Sequence, residues 1–260
     1  MKRMFWWVTV ATLMALTLVW PPSVVLAEDP LPPAVGAIVL EDDLSGPTLI
    51  KPSSCRSGRA ASDYVGEGLR FKVTGPCNDG EIFAVIGATI RGLSMPDGEV
   101  RFEVKAVSGV ERVRVGINAR LQPFTQGALN SAATIPGSDA VGFEPGPGRG
   151  LIGKTPGAIT ERTDLAGSFA VDDWNTVAIR LQGPSFWLLL NDQAVLFSSD
   201  DSFDRGEVNF SILKTGDGPG PERSQADPND TSEVAVVIRN LRVSALADGD
   251  PARVPTYQRP

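Results

Sequence analysis

The 260-residue sequence contains no histidine. That absence removes the Ser-His-Asp and Cys-His nucleophile arrangements, which need an imidazole base. It also removes every zinc site with a histidine ligand. Acid–base chemistry is left to carboxylates, lysine or tyrosine, and the tyrosines number two, Tyr64 and Tyr257. Basic residues are outnumbered by acidic ones, 24 to 31, for a net charge of −7. A chain of that sign is a poor partner for nucleic acid or an anionic membrane surface. Helical periodicity is missing too. Beyond residue 27 no segment keeps a 3.6-residue apolar repeat for more than a turn or two, and the chain has no internal repeat.

Cysteine is almost absent, with Cys55 and Cys77 alone. In an exported chain the pair is expected to form a disulfide closing a loop of about 20 residues, worth roughly 3 kcal/mol if unstrained. Two free thiols are the competing reading.

Long apolar runs are confined to the N-terminus. Lys2 and Arg3 precede an uncharged run, Phe5–Trp20, which Pro21-Pro22 breaks before Val25-Leu26-Ala27 offers small residues for a signal peptidase. Residues 1–27 therefore read as a secretory signal peptide cleaved after Ala27. The run is short for a membrane span, which needs about 20 residues. Losing Lys2 and Arg3 takes the charge from −7 to −9. The expected location is secreted or periplasmic, on the exterior of the cell envelope, with no membrane span after cleavage. Residues 28–34, Glu-Asp-Pro-Leu-Pro-Pro-Ala, form an extended leader. Residues 35–246 form one domain, and 247–260 a polar tail expected to be disordered.

Within that domain the signal is alternation of apolar and polar residues, the mark of half-buried strands. Strands are predicted over Val35–Leu44, Leu69–Val73, Glu81–Gly87, Ala140–Phe143, Leu151–Lys154, Ala158–Arg162, Gly206–Lys214 and Glu233–Leu246. Glu99–Val107 and Val110–Arg120 are predicted to pair as a hairpin through Ser108-Gly109. Ser45–Asp63, Leu93–Gly98, Leu121–Ser138 and Thr215–Thr231 read as loops. The centre is Asp172–Asp201, predicted as three antiparallel strands turning at Gln182–Ser185 and at Asn191-Asp192. In it, Trp187-Leu188-Leu189-Leu190 is apolar on both sides, so this strand should be covered on both faces or line an apolar groove. About a dozen short strands with Gly/Pro turns give an all-β fold, an antiparallel two-sheet jelly-roll sandwich.

The Asp-Asp-Trp-Asn-x-Val-x-Ile-x-Leu run (Asp172–Leu181), followed by Trp-Leu-x-Leu-Asn-Asp (Trp187–Asp192), resembles the concanavalin A-like lectin/glucanase superfamily. More closely it is similar to laminin G-like jelly rolls of bacterial exported proteins. Leu40–Ser45, Val115–Arg120 and Glu233–Ser244 are similar to the family's opening, central and closing strands. The resemblance spans roughly Val35–Leu246 and implies the fold more than a function, because such folds host lectins, hydrolases and adhesion modules.

Laminarinase-type relatives carry Glu-x-Asp-x-Glu or Glu-x-Asp-x-x-Glu on one strand for two-carboxylate glycoside hydrolysis. The nearest approach is Glu41-x-Asp43, and the second Glu is missing. No catalytic residue is assigned. A 3-keto-disaccharide hydrolase is the enzymatic alternative, with no residues carried over. A carbohydrate site needs an aromatic platform and planar polar groups. Trp187 is the candidate platform. Arg101, Glu103, Arg112, Arg114, Asn118, Arg120, Arg180 and Asn209 are the polar residues expected to share a concave face with it. The competing reading makes them solvated strand faces with cross-strand ion pairs. Trp174, at a strand start, is expected to plug the core. Asp200, Asp201 and Asp204 are the candidate metal ligands, for which calcium is the fitting cation; Asp227, Asn229 and Asp230 are a second oxygen-rich cluster. The expected function is an exported non-catalytic module that binds a glycan, or else a structural domain that binds an envelope protein.

Overall fold

The structure, a computed structural model, describes residues 29–47, 49–77, 84–122, 137–155, 159–162, 165, 168–216, 227 and 229–258. The signal peptide reading falls outside these residues. Among the described residues no helix is long and apolar enough to cross a membrane.

Sixteen strands are described: β1 Val35–Asp42, β2 Ala60–Val65, β3 Gly68–Val73, β4 Ala84–Ile90, β5 Leu93–Ser94, β6 Gly98–Ser108, β7 Val113–Leu121, β8 Ser138–Glu144, β9 Arg149–Thr155, β10 Ile159–Arg162, β11 Asn175–Gln182, β12 Ser185–Leu190, β13 Gln193–Ser199, β14 Glu207–Lys214, β15 Val234–Leu246 and β16 Thr256–Tyr257. Eight form one antiparallel sheet in the order β13-β12-β11-β6-β15-β3-β2, with β1 beside the second half of β15. Six form the other, β10-β9-β8-β7-β14-β4. The small β5–β16 pair stands apart.

The inner faces meet in one core. Val100, Phe102 and Val104 of β6, Phe71 of β3 and Ile179 of β11 face Val115 and Ile117 of β7 and Phe210 and Ile212 of β14. Phe102 meets Phe210 edge to face, ring centroids 4.9 Å apart. Each such side chain contributes about 1.5–3 kcal/mol by leaving water, and the alternating residues turn outward, which is why sequence periodicity locates the strands.

The central unit is as predicted. β11 and β12 pair from Val177–Leu190 to Gln182–Ser185, and β12 pairs β13. Asn191 and Asp192 both have positive φ, 47° and 68°, the geometry a two-residue hairpin turn demands. Phe186, Leu188 and Leu190 enter the main core, while Trp187 and Leu189 form a second cluster on the opposite face with Ala178 and Phe197. Asn175 ties the turn before β11 together: Oδ1 accepts from Ala170 N at 2.7 Å and Nδ2 donates to the carbonyls of Ala170 and Asp173. The Asp-Asp-Trp-Asn run is thus a structural motif.

Four expectations are corrected. β6 and β7 are not a hairpin: after Ser108 the chain turns through Gly109 (φ 64°) and a short 3₁₀ turn, Val110–Arg112, and crosses to the other sheet. β2 begins inside the stretch Ser45–Asp63 read as loop, because Ala60, Ser62 and Tyr64 alternate with weakly apolar character but pair fully with β3. Leu93–Ser94 is a strand paired with Thr256–Tyr257. Residues 247–258 of the tail are held by that pairing and by Arg253, whose guanidinium donates to both Asp97 oxygens at 2.8 and 2.9 Å.

Candidate functional site

The crossing after Ser108 divides the residues expected to share one face. Arg101, Glu103, Arg180 and Trp187 stand on the outer face of the eight-stranded sheet, and Arg114, Asn118 and Asn209 on that of the six-stranded sheet. Arg112 and Arg120 belong to neither.

The eight-stranded face is closed over β11 and β12. Trp187 is 3% exposed, and its Nε1 donates to the Pro30 carbonyl at 2.7 Å. It cannot serve as a sugar platform in this state. Arg180 donates to the Pro33 carbonyl and to Glu99, which also pairs with Arg101; Arg101 in turn pairs with Asp192. Glu103 pairs with Arg239 at 2.7 Å, and the Arg239 guanidinium lies 3.7 Å over the Trp174 ring. Trp174 is therefore half-buried on the outer face rather than a core plug.

Arg112 and Arg120 are structural. Arg112 pairs with Asp230 at 2.6 Å, beside buried Lys214, whose ammonium donates to the carbonyls of Thr74, Asp230 and Ser232. The Ser232 N–H, together with Lys214, holds the Asp230 carboxyl well below its usual range. At Arg120 a bulge in the β7–β14 register and a positive φ of 51° break the alternation, re-aiming a side chain that would otherwise point outward. The fully buried guanidinium donates to Asp97, Asp139 and the carbonyls of Pro96 and Phe203. Burial, reinforced by the nearby Asp200 charge, pushes the Asp139 carboxyl up to about 6 against the pull of Arg120. Its Oδ1 has no hydrogen-bond partner.

The expected metal ligands are not gathered. Asp200 pairs with Lys154 at 3.0 Å and accepts from Ser202 N, Asp201 is exposed, and Asp204 lies 3.9 Å from Arg205. Asp200 is thus satisfied by a lysine and a backbone N–H of its own turn, apart from the other two. Asp227 accepts from Asn229 N. Among the described residues no three His, Cys, Asp or Glu side chains form a metal-holding group. Cys55 and Cys77 are neighbouring free thiols rather than a disulfide. Burial alone would raise the Cys55 thiol, but hydrogen bonds from Cys77, Ser57 and the Ala60 N–H hold it below its usual range. Glu41, of the incomplete carboxylate motif, is exposed and pairs with Arg242 at 2.6 Å, and Asp43 caps Ser45.

The six-stranded face is built differently. Gly87, Ser211, Gly116 and Gly142 are register partners across β4, β14, β7 and β8, so one row across four strands carries a single side chain. Glycine inside a strand costs stability and often marks close approach to the backbone; here Asn209 lies over Gly87 and Arg114 beside Gly142, leaving Gly87 exposed while Gly116 and Gly142 are buried. At Gly116 a Cβ would come within 2.6 Å of Ser211 Oγ. Along one side of this floor runs a polar ladder: Ser138 Oγ, 3.5 Å from Asn118 Oδ1; Asn118 Nδ2 donating to Asn209 Oδ1 at 3.4 Å; and Asn209 Nδ2 donating to Thr89 Oγ1 at 3.1 Å. Along the other side lie Arg114, Glu144 and Arg149, with Glu144 closed off by Arg114 at 2.6 Å and Arg149 at 3.4 Å. At the β4 edge the surface deepens into a cleft of about 430 Å³ lined by Lys51, Ser53, Gly87, Thr89, Arg91 and Glu207. Sequence reasoning found Asn118 and Asn209 but missed Thr89, Ser211 and the glycines. The usable signal was glycine recurring at outward strand positions.

Two antiparallel sheets over one core, with β1 beside β15, define a concanavalin A-like sandwich fold. The chain is similar in structure to a Bacillus licheniformis β-glucanase (TM-score 0.55, 12% identity, covering 80% of this chain and 98% of that one). It is likewise similar to a Rhodothermus marinus laminarinase (TM-score 0.53, 13%, 81% and 98%) and to a Bacillus subtilis protein of unknown function with a galectin-like fold (TM-score 0.52, 10%, 82% and 97%). No protein-family model and no curated protein matches the chain.

Proposed function

We propose that the protein is an exported carbohydrate-binding module and that its site is the outer face of the six-stranded sheet. The observation that carries this reading is the glycine floor beside the Asn118–Asn209–Thr89 ladder. Sugar rings need close approach to a flat surface, and their hydroxyls need paired donors and acceptors, which amide and hydroxyl side chains supply together. The neighbouring cleft adds Lys51, Arg91 and Glu207 for exocyclic hydroxyl or charged substituents. Binding is favoured over hydrolysis because glycosidases use two carboxylates about 5–9.5 Å apart across the scissile bond. Here Glu144 is neutralised by two arginines, and Glu207 is the one carboxylate among the described residues lining the cleft. The resemblance to glucan-acting sandwiches supports a glycan as the ligand class.

The test is a broad glycan array with the purified mature chain, followed by calorimetric titration of any hit. Asn209→Ala should weaken binding about tenfold, the loss of one to two hydrogen bonds, while the melting temperature stays within a few degrees. A blank array, or a hit indifferent to Asn118→Ala and Asn209→Ala, sinks the reading and leaves a protein-interaction domain as the better account.

A further inference from the structure

The outer face of β11 and β12 is covered by a piece of the same chain, and sequence dictates that piece's shape. In Asp29-Pro30-Leu31-Pro32-Pro33 three residues are proline, each with φ held near −65°. Asp29, Leu31 and Pro32 each precede a proline, which drives them into the extended region. The segment belongs to no strand. Such a sequence favours polyproline II, a left-handed helix of three residues per turn, in which carbonyls three residues apart project to the same side about 9 Å apart. Pro30 and Pro33 are such a pair. Both are read by side chains: Trp187 Nε1 donates to Pro30 O and Arg180 Nη1 to Pro33 O, each at 2.7 Å. Leu31, between them, is 88% exposed, so recognition rests on carbonyl spacing rather than on the bulkiest side chain of the segment.

The receiving groups are fixed by the sheet. Trp187 and Arg180 are directly paired residues of β12 and β11. The Trp187 ring packs on Phe197, centroids 5.3 Å apart, and on Ala178 and Leu189. Arg180 is held in place by Glu99, itself 3% exposed. A proline-rich segment suits such a seat because it is already ordered and loses little entropy on docking.

We propose that this face is a docking site for proline-rich segments in the polyproline II conformation, filled at rest by the chain's own leader and open to a proline-rich segment of another protein when the leader is displaced. The segment seated there is the argument for the occupant. The site is independent of the glycan face, which lies on the other sheet.

The experiment uses the mature full chain with Pro32→Gly and Pro33→Gly together, which keeps both carbonyls but releases the backbone. A fluorescein-labelled peptide of sequence Glu-Asp-Pro-Leu-Pro-Pro-Ala is titrated against this chain and the unaltered one by anisotropy. The loosened chain should bind it about tenfold more tightly, because the tethered competitor is weakened. A peptide with glycine at all three proline positions should bind about tenfold more weakly, a control that does not depend on any variant's folding. Equal binding of the two peptides, or of the peptide to both chains, overturns the proposal. So does self-association of the loosened chain that the peptide fails to disperse, since the face would then serve a second copy.

Discussion

The outer faces of the two sheets begin from the same strand alternation and end in opposite states. On the eight-stranded sheet the carboxylates near the centre are spent on arginines: Glu99 on Arg180 and Arg101, Glu103 on Arg239. Trp187 is capped by the leader. On the six-stranded sheet the centre is glycine and serine, and its amides and hydroxyls bond one another at 3.1 to 3.5 Å, long enough to exchange partners with a ligand. The lesson is that outward-facing polarity does not mark a binding surface. What separates the two is whether the polar groups are already matched by stronger partners.

The contrast breaks most visibly at Trp187. Trp187→Ala should cost about 3–5 kcal/mol of stability, as for a buried aromatic truncated in a core, read by urea unfolding. Glycan affinity of the folded fraction should not change. A loss of affinity at unchanged stability would reverse the assignment of the two faces. Next comes a fully sealed spot near the six-stranded sheet, at Arg120. Arg120→Met leaves Asp97 and Asp139 without their shared cation, and breaking a buried pair of this kind costs about 3 kcal/mol, again measured by urea unfolding.

Asp139 supplies a pH signature of that spot. Its folded value is about 6, above the ordinary carboxylate value. The folded protein therefore binds the extra proton, so the stability from this group is present at about pH 4 and is lost as pH rises through about 6. Asp139→Asn removes that dependence. The unfolding free energy of wild type minus variant should fall between pH 4 and pH 7, and a constant difference would mean Asp139 is not the titrating group. The smallest effect belongs to Gly142→Ala. The added carbon meets Val115 O at 3.4 Å and the Arg114 side chain at 3.6 Å, ordinary contacts. Stability should move by less than about 1 kcal/mol, while glycan affinity falls a few-fold because the floor is raised.

Most strands were legible in the sequence from their alternation, but β2, β5 and β16 were not, being short or only weakly apolar. β11, β12 and β13 were found with their turns because Gly183-Pro184 and Asn191-Asp192 carry explicit turn chemistry. Sheet membership was not legible. Ser108-Gly109 reads the same whether the chain doubles back or crosses over, and that ambiguity joined Arg101 and Glu103 to Asn118 and Asn209. Arg120 was misplaced for another reason: a bulge is a non-local outcome of register with β14, invisible in the alternation of β7 itself. Trp187 was correctly read as covered on both sides or lining a groove, yet the cover comes from a leader more than 150 positions away. The floor glycines were overlooked because a glycine has no side chain to call attention to a face.

The pairing of β1 with β15 also decides how the domain would respond to tension. Val35 lies opposite Leu246, so the outermost strand ends sit at the same end of one antiparallel ribbon. Pulling apart the segments that leave it would not shear the ladder along its length. It would peel the ladder, one hydrogen bond at a time, once the leader had slipped from Trp187 and Arg253 had let go of Asp97. A sandwich joined to its surroundings through those two segments would therefore be mechanically soft along that axis, yielding stepwise at modest force while the opposite sheet remained intact.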